Sequence, residues 1–351
     1  MAITYTPIDI RGKAAEPVIE EILFQNNTLD KGLVTFADNV KANTIFTEAG
    51  ASVVQQALVT SGSPTSKGNL SAFDTIVSPV QIEYYKDFDY NVLRNSRFNT
   101  SIKPGAWNML SSDFERVVIG GLYAKKIALN AEYNFWNNVK AGTKTAVAAL
   151  TAGTANTSVG AAEKTLVAGF TIGEAEGNVS GLYDGVIAKM IYNNSNAAGT
   201  AGVGGRIKVA GATISASNIK EEYDKLYAAI PEVALNAQNN GSELIIYAPF
   251  KHKQLIAIFN NNVANYKDAF AGTPEGGYSF NGIKIEYVPI PANVMIVGSK
   301  ERFFWCTDLE SDINYLQVEK HASPRKDYFI DAVMSAEAHV TNQRFNVLYV
   351  G

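Results

Sequence analysis

Few residues in this chain stand in patterns that support chemistry. Its three histidines, His252, His321 and His339, are far apart. None sits in an H-x-x-x-H or C-x-x-C setting, which would place two metal ligands on one element. Cys306 is the single cysteine, so no intrachain disulfide can form, and a reducing compartment is the natural reading. A Cys306–histidine pair exists only in the sense that both residue types are present. Beside Trp305, Cys306 reads as a small hydrophobe. Gly202-Val-Gly-Gly-Arg206 superficially suggests a phosphate loop, but no Gly-Lys-Ser/Thr follows and Asn, Ala and Gly precede it in place of a strand. It reads as a mobile loop. No G-x-S-x-G elbow occurs.

Acidic residues cluster at Asp87/Asp89 and at Asp308-Leu-Glu-Ser-Asp312. Both offer oxygen ligands without the spacing of an EF-hand loop. Solvated surface or intersubunit ion pairing is the better reading. Arg94, Arg97, Lys103, Arg116, Lys125 and Lys126 form a basic series that could meet nucleic acid or, the preferred reading, pair with acidic groups of a neighbouring subunit or domain. Tyr84, Tyr85, Phe88 and Tyr90 could stack bases, but without dense basic interleaving they read as a packing edge. No catalytic, cofactor-binding or metal-ligating residue is assigned, and no cofactor is implied.

The bulk numbers agree. The 351 residues are 46% hydrophobic and 18% charged, enough for one large domain or two to three smaller ones. A net charge of −4 argues against a protein that lives on phosphates, though not against one that encloses nucleic acid. The N-terminus lacks a signal-peptide pattern, and no window reaches the length of a membrane span. Asn69 and Asn178 lie in chance glycosylation triplets.

The elements that would position these residues follow from periodicity. Ala14, Val18, Ile19, Ile22 and Leu23 predict a short helix over 13–24. Leu33 to Phe46 reads as an extended arm. Residues 46–90 predict a long β-hairpin with legs 47–60 and 75–90. In the second leg Val80, Ile82 and Tyr84 alternate with Gln81 and Glu83, and a Ser/Gly/Pro-rich tip joins the legs. A ribbon this long needs a surface to lie on.

Ser112 and Glu115 make a capping box for a helix over 112–139, about 40 Å long, with Gly120-Gly121 as a weak point. The stretch 141–219 is rich in Gly, Ala, Thr, Ser and Asn. Thr165 to Ile172 within it looks like a strand, Gly181 to Tyr192 like a short helix, and Ala197 to Gly205 like loop. An amphipathic helix runs from its cap Asn218 to Ile230, with Glu221 placed to pair with Lys225, and stops at Pro231. Glu243 to Ala248 is a buried strand, and Pro249 opens a helix through Phe259. Gly282 to Trp305 carries three short β runs with proline and glycine between them, and 328–334 and 345–350 alternate again. No repeat at a solenoid period is found.

This order of elements resembles the major capsid proteins of tailed double-stranded DNA bacteriophages, an α+β, HK97-like fold. Val77 to Asn91 feeding Ser112 to Asn138 resembles an extended loop and spine helix. Ile219 to Ile230, Leu244 to Asn260 and Asn281 to Thr307 resemble an axial domain. The resemblance implies an N-terminal arm (1–45), an extended hairpin loop (46–90), a peripheral domain (91–217) with spine helix 112–139 and a Gly/Ala-rich insertion, an axial domain (218–312), and return strands of the peripheral domain (313–351). It implies a non-enzymatic shell subunit whose arm and hairpin lie across neighbours. Its partners would be itself as hexamers and pentamers, a portal protein, and scaffolding or decoration proteins. It would enclose DNA without sequence-specific binding, with no membrane, in a virion assembled in host cytoplasm. The chain lacks a long helical N-terminal scaffolding segment, which implies a separate scaffolding protein, none, or a processed form. Some relatives form lysine–asparagine cross-links, and Lys67 in the hairpin tip is suggestively placed, but the sequence shows no matching acceptor, and noncovalent packing is the preferred reading. An encapsulin-like shell, an enzyme with a scattered site and a tail or adhesin β-protein are the alternatives; the confident helices weigh against the last.

Overall fold

The computed structural model describes residues 27–52, 69–88, 123–156, 158–175, 177–192, 206–239, 243–262, 269–273, 276–308, 317–320, 328–341 and 343–351. In chain order the strands are β1 (Thr35–Ala37), β2 (Thr44–Ser52), β3 (Asn69–Val77), β4 (Val80–Phe88), β5 (Ile207–Ala210), β6 (Leu244–Pro249), β7 (Phe270–Gly272), β8 (Tyr278–Phe280), β9 (Ile283–Val288), β10 (Val294–Ser299), β11 (Phe303–Cys306), β12 (Gln317–Lys320), β13 (Tyr328–Val340) and β14 (Val347–Val350). The helices are α1 (Asn27–Asp30), α2 (Ala124–Asn137), α3 (Ala141–Ala149), α4 (Ala161–Gly169), α5 (Val186–Ile191), α6 (Ile219–Ala228), α7 (Glu232–Asn239) and α8 (Phe250–Asn262).

Strands β1, β11, β13 and β12 form one sheet in that order, with β4 also paired to β13. A seven-stranded sheet runs β5-β14-β10-β6-β9-β8-β7, and β2 and β3 make a separate ribbon. The seven-stranded sheet explains the continuous apolar runs. Side chains alternate faces along a strand, and a sheet covered on both faces needs apolar residues at every position. Tyr247, Ile296 and Leu348 enter one core, while Ile246, Val297 and Tyr349 enter the other.

The first core joins both sheets through aromatic rings. Phe135 stacks on Trp305 at 4.7 Å between centroids, and Trp136 lies 5.2 Å from Tyr247. Such contacts add about 1 kcal/mol each beyond area burial. Helix α2 ends where Asn138 turns extended, its N–H bonded to the Asn134 carbonyl. Gly185 is required there: a Cβ on it would meet the Phe135 carbonyl oxygen at 2.7 Å.

Several expectations change. Of the helix expected over 112–139, the described part is α2, ending two residues before the predicted limit; Ser112, Glu115 and Gly120-Gly121 lie outside the described residues, as does 13–24. The arm is not wholly spread outward. Thr28 donates from N and Oγ1 to Glu132 Oε1 (2.9 and 2.5 Å), Trp136 donates to Thr28, and Tyr247 donates to the Leu33 carbonyl. These bonds and the parallel β1–β11 pairing hold residues 28–37 on their own chain.

The predicted second hairpin leg is two strands. β3 pairs with β2, and after Ser78-Pro79 β4 pairs with β13. Proline lacks a ladder donor, so it suits the point where the partner changes. Thr165 to Ile172 is not a strand: α4 takes most of it, and Ile172 makes only an isolated bridge to Val179. Helix α6 stops at Ala228, just before Pro231 as expected, and a separate helix, α7, begins directly after the proline. Of the three β runs in Gly282 to Trp305, the first two, β9 and β10, join the seven-stranded sheet and the third, β11, joins the other. At the chain end β14 lies in the seven-stranded sheet, apart from β13.

The first forty residues of the Gly/Ala-rich segment repeat one unit twice. Residues 141–160 and 161–180 align without a gap, with identities at Ala141/Ala161, Lys144/Lys164, Thr145/Thr165, Val147/Val167, Ala148/Ala168, Thr151/Thr171, Gly153/Gly173, Ala155/Ala175 and Val159/Val179. Each unit is a nine-residue helix and a loop. Lys144 in α3 donates to the Phe170 carbonyl that caps α4, and Lys164 in α4 donates to the Leu150 carbonyl that caps α3. The helices are therefore antiparallel, each lysine satisfying the partner's free C-terminal carbonyls.

Candidate assembly interface

The residues that could do chemistry are used for packing. His252 is buried; its Nδ1 lies 3.1 Å from the Tyr223 hydroxyl and its Nε2 2.9 Å from the Ala292 carbonyl oxygen. Burial lowers its pKa to about 4, and the neutral ring joins α6, α8 and the turn before β10. His339 lies among Phe46 and Phe304, with its pKa lowered by burial to about 3. Cys306 is buried beside Val40 and Val77, and its thiol is pushed up to about 12 by desolvation and then by Glu337. His321 is outside the described residues. His252, His339 and Cys306 form no joint constellation, and among the described residues no group of three His, Cys, Asp or Glu could hold a metal ion.

The other sequence candidates are dispersed. Arg206 is fully buried and ion-paired to Glu163, so the end of the glycine-rich stretch is an anchor rather than a mobile loop; Gly202 to Gly205 lie outside the described residues. Asp87 accepts a hydrogen bond from Tyr85 at 2.6 Å. Asp308 donates its N–H to Ser335. Asp89 and Asp312 lie outside the description, as do Arg94, Arg97, Lys103, Arg116, Tyr90 and Lys67. Tyr84 turns inward and donates to Asn130, whereas Tyr85 stacks on Phe329 at 5.5 Å. Glu221 does not pair with Lys225; Lys225 reaches Glu222 at 2.9 Å. Burial raises the Glu222 carboxyl, but hydrogen bonds from Lys225 and Tyr349 outweigh it and hold the pKa below its usual value. A cleft of about 510 Å³ between α4 and the turn 291–294 is lined by Tyr133, Phe170, Pro291, Asn293 and Val350, with no acid or base side chain but the Tyr133 phenol.

The exposed feature with a defined geometry is the β2–β3 ribbon. Nine residues of each strand pair in register. Phe46 and Val77 point to the protein: Phe46 lies 5.5 Å from Phe304 and 4.9 Å from His339, and Val77 is fully buried. The alternate face carries Ile45 and Ile76, directly paired across the strands and 58% and 60% exposed. Thr47 and Asp74 are the next pair on that face, joined by a 2.7 Å hydrogen bond.

The ribbon base is fastened by polar groups. Asn43 adopts φ 66° and its N–H donates to Ser78 Oγ. The Ser78 N–H donates to Glu337 Oε2 at 2.7 Å, and Lys189 pairs with Glu337 Oε1 at 2.5 Å. Only glycine, asparagine and aspartate visit this left-handed region readily, which explains asparagine at 43. Further apolar exposure lies on the helices beside the seven-stranded sheet, at Val233, Phe250 and Ile258.

No family model matches the chain, and no curated protein sequence does. Solved structures do. The capsid of a native GTA particle shares 12% identity over 100% of this chain and 95% of its own, with a TM-score of 0.50. The capsid of the Myoviridae phage XM1 shares 11% identity over 93% of this chain and 92% of its own, TM-score 0.49. The mature capsid of bacteriophage PhiM1 shares 11% over 100% and 92%, TM-score 0.48. At this identity the first likeness is one of fold: the chain has the α+β capsid fold that its order of elements resembles.

Proposed function

We propose that this chain is the self-assembling shell subunit of a tailed-phage head, a structural protein that encloses double-stranded DNA. The observation that carries the reading is the ribbon. At its base the inner face, Phe46 and Val77, is packed on its own chain, and the outer face presents the Ile45–Ile76 pair to solvent within a capsid fold. A subunit of that kind gains by covering the outer face with a neighbour. Covering the exposed part of two isoleucines is worth about 3 kcal/mol before ordering costs, and repetition around a closed shell multiplies the gain.

In this reading copies meet as hexamers and pentamers, in a virion assembled in host cytoplasm, with portal and possibly scaffolding or decoration partners. The core containing Tyr223, Phe270 and Phe280 belongs to the axial domain, and Val233, Phe250 and Ile258 are its contacts around a symmetry axis. Helix α2 and β13 belong to the peripheral domain. Among the described residues no helix is long and apolar enough to cross a membrane, in keeping with a protein shell. Size-exclusion chromatography and negative-stain electron microscopy of the purified chain test the reading. Shells, hexamers or pentamers are expected, and a compact monomer under all conditions would overturn it. DNA inside the particles, rather than a cargo enzyme, would separate a phage head from an encapsulin-like shell.

A further inference from the structure

The duplicated units 141–160 and 161–180 end in equivalent loops with different occupancy. Both loops close with the same two backbone bonds: Gly153 N–H to the Val159 carbonyl matches Gly173 to Val179, and Ser158 to Ala155 matches Asn178 to Ala175. In the first loop a cation sits on three backbone carbonyls. Lys208 Nζ donates to the carbonyl oxygens of Gly153 (2.6 Å), Ala155 (3.0 Å) and Ser158 (3.2 Å), and to Ser158 Oγ (3.3 Å). Arg206 adds bonds to the Asn156 and Ser158 carbonyls.

In the second loop the equivalent acceptors are the carbonyls of Gly173, Ala175 and Asn178. Among the described residues no lysine or arginine reaches them. Ala175 and Glu174 are exposed. The sequence has also changed sign: Glu174 and Glu176 replace Thr154 and Asn156 of the first unit. A loop of the same closure has gained negative charge and has no basic side chain of its own.

We propose that the carbonyls of Gly173, Ala175 and Asn178 form a socket for a lysine ammonium presented by a second copy of this chain. The inference rests on the shell reading, which brings copies into contact. The twin loop sets the chemistry. Its tenant is an ammonium, whose three donors match three carbonyls. Calcium would require six or more oxygens at shorter range. Glu174 beside the socket strengthens the attraction, because hydrogen bonds to charged groups exceed neutral ones.

The test uses particles grown from a mixture of unlabelled and nitrogen-15-labelled full-length chains, scored by electron microscopy and then treated with a carbodiimide. Glu174 is expected to join a lysine in peptide pairs that carry one labelled and one unlabelled member. The half-buried Lys220–Asp224 pair, 2.5 Å apart within α6, is the internal control and should give like-label products only. Particles in which the control reacts but Glu174 yields no mixed-label pair would overturn the socket and leave the shell reading intact. Failure to form particles would overturn both. Independently, Glu174→Lys should raise the protein concentration needed for assembly about threefold at low salt, and less at high salt, without moving the thermal melt. An unchanged threshold would count against the socket.

Discussion

Phe46 of the exposed ribbon rests on the buried imidazole of His339, ring centroids 4.9 Å apart, so the ribbon base depends on a titratable ring. The ring has its pKa lowered to about 3 by burial, with Lys189 adding in the same direction. An unfolded histidine titrates near 6.5. The unfolded state therefore binds more protons between those values, and stability falls as pH drops from about 6.5 toward 3, by about 1.4 kcal/mol per pH unit. His252 adds a like loss down to about 4. Urea unfolding at several pH values should show the steep loss, and His339→Phe should flatten it by the share of one group. An equal slope in the variant would exclude His339 as its source.

Ile45 and Ile76 face each other and solvent, so they add little to the isolated fold. Ile45→Thr with Ile76→Thr keeps β-branched residues in both strands. The thermal melt should move by no more than about 0.5 kcal/mol equivalent. Particle yield should fall sharply, because the cover over this pair is what assembly gains. Melting curves together with electron microscopy of one preparation check both parts.

Much of the frame was legible in the sequence because its signals are local. The unbroken apolar runs of β6 and β10 mark a sheet buried on both faces, whereas Pro79 reads as part of one leg, because its meaning needs the pairing of β4 with β13. The losses have a common cause. Arg206 reads as the end of a glycine loop because Glu163, its partner, is 43 residues away in sequence. Thr165, Val167 and Ile172 suggest a strand, but α4 buries Val167 and Glu163 on one side and tertiary packing overrides β propensity. The duplication escapes notice because most of its identities are Ala, Thr, Gly and Val in a segment rich in those residues. Paired Lys144 and Lys164 were the signal that could have found it.

Cys306 is fully buried in the small core under the ribbon, with its thiol pushed up to about 12. The thiolate is the reactive form. A disulfide reagent at neutral pH should therefore leave the folded chain unmodified and label it stoichiometrically in denaturant. Rapid labelling without denaturant, read by mass spectrometry, would show that the ribbon base opens readily.

The ion pair of Arg206 with Glu163 is fully enclosed and joins the duplicated helices to the lead-in of β5. Its net worth differs from the cost of breaking it. Arg206→Met leaves the buried Glu163 carboxylate without its ion-pair partner, held by the Gly160 N–H, and cuts of this kind cost about 3–5 kcal/mol. Arg206→Met with Glu163→Leu removes both charges and should recover most of that loss, since well-packed apolar replacements of buried pairs are often neutral. The recovery is limited by the Asn156 and Ser158 carbonyls, which lose the guanidinium donors, and by the Gly160 N–H, which loses the Glu163 carboxylate that caps α4. A double-mutant cycle in urea separates the pair from these bonds. If the double variant is as unstable as Arg206→Met alone, the stabilisation lies in fastening the 150–160 loop, and the charge pair is secondary to it.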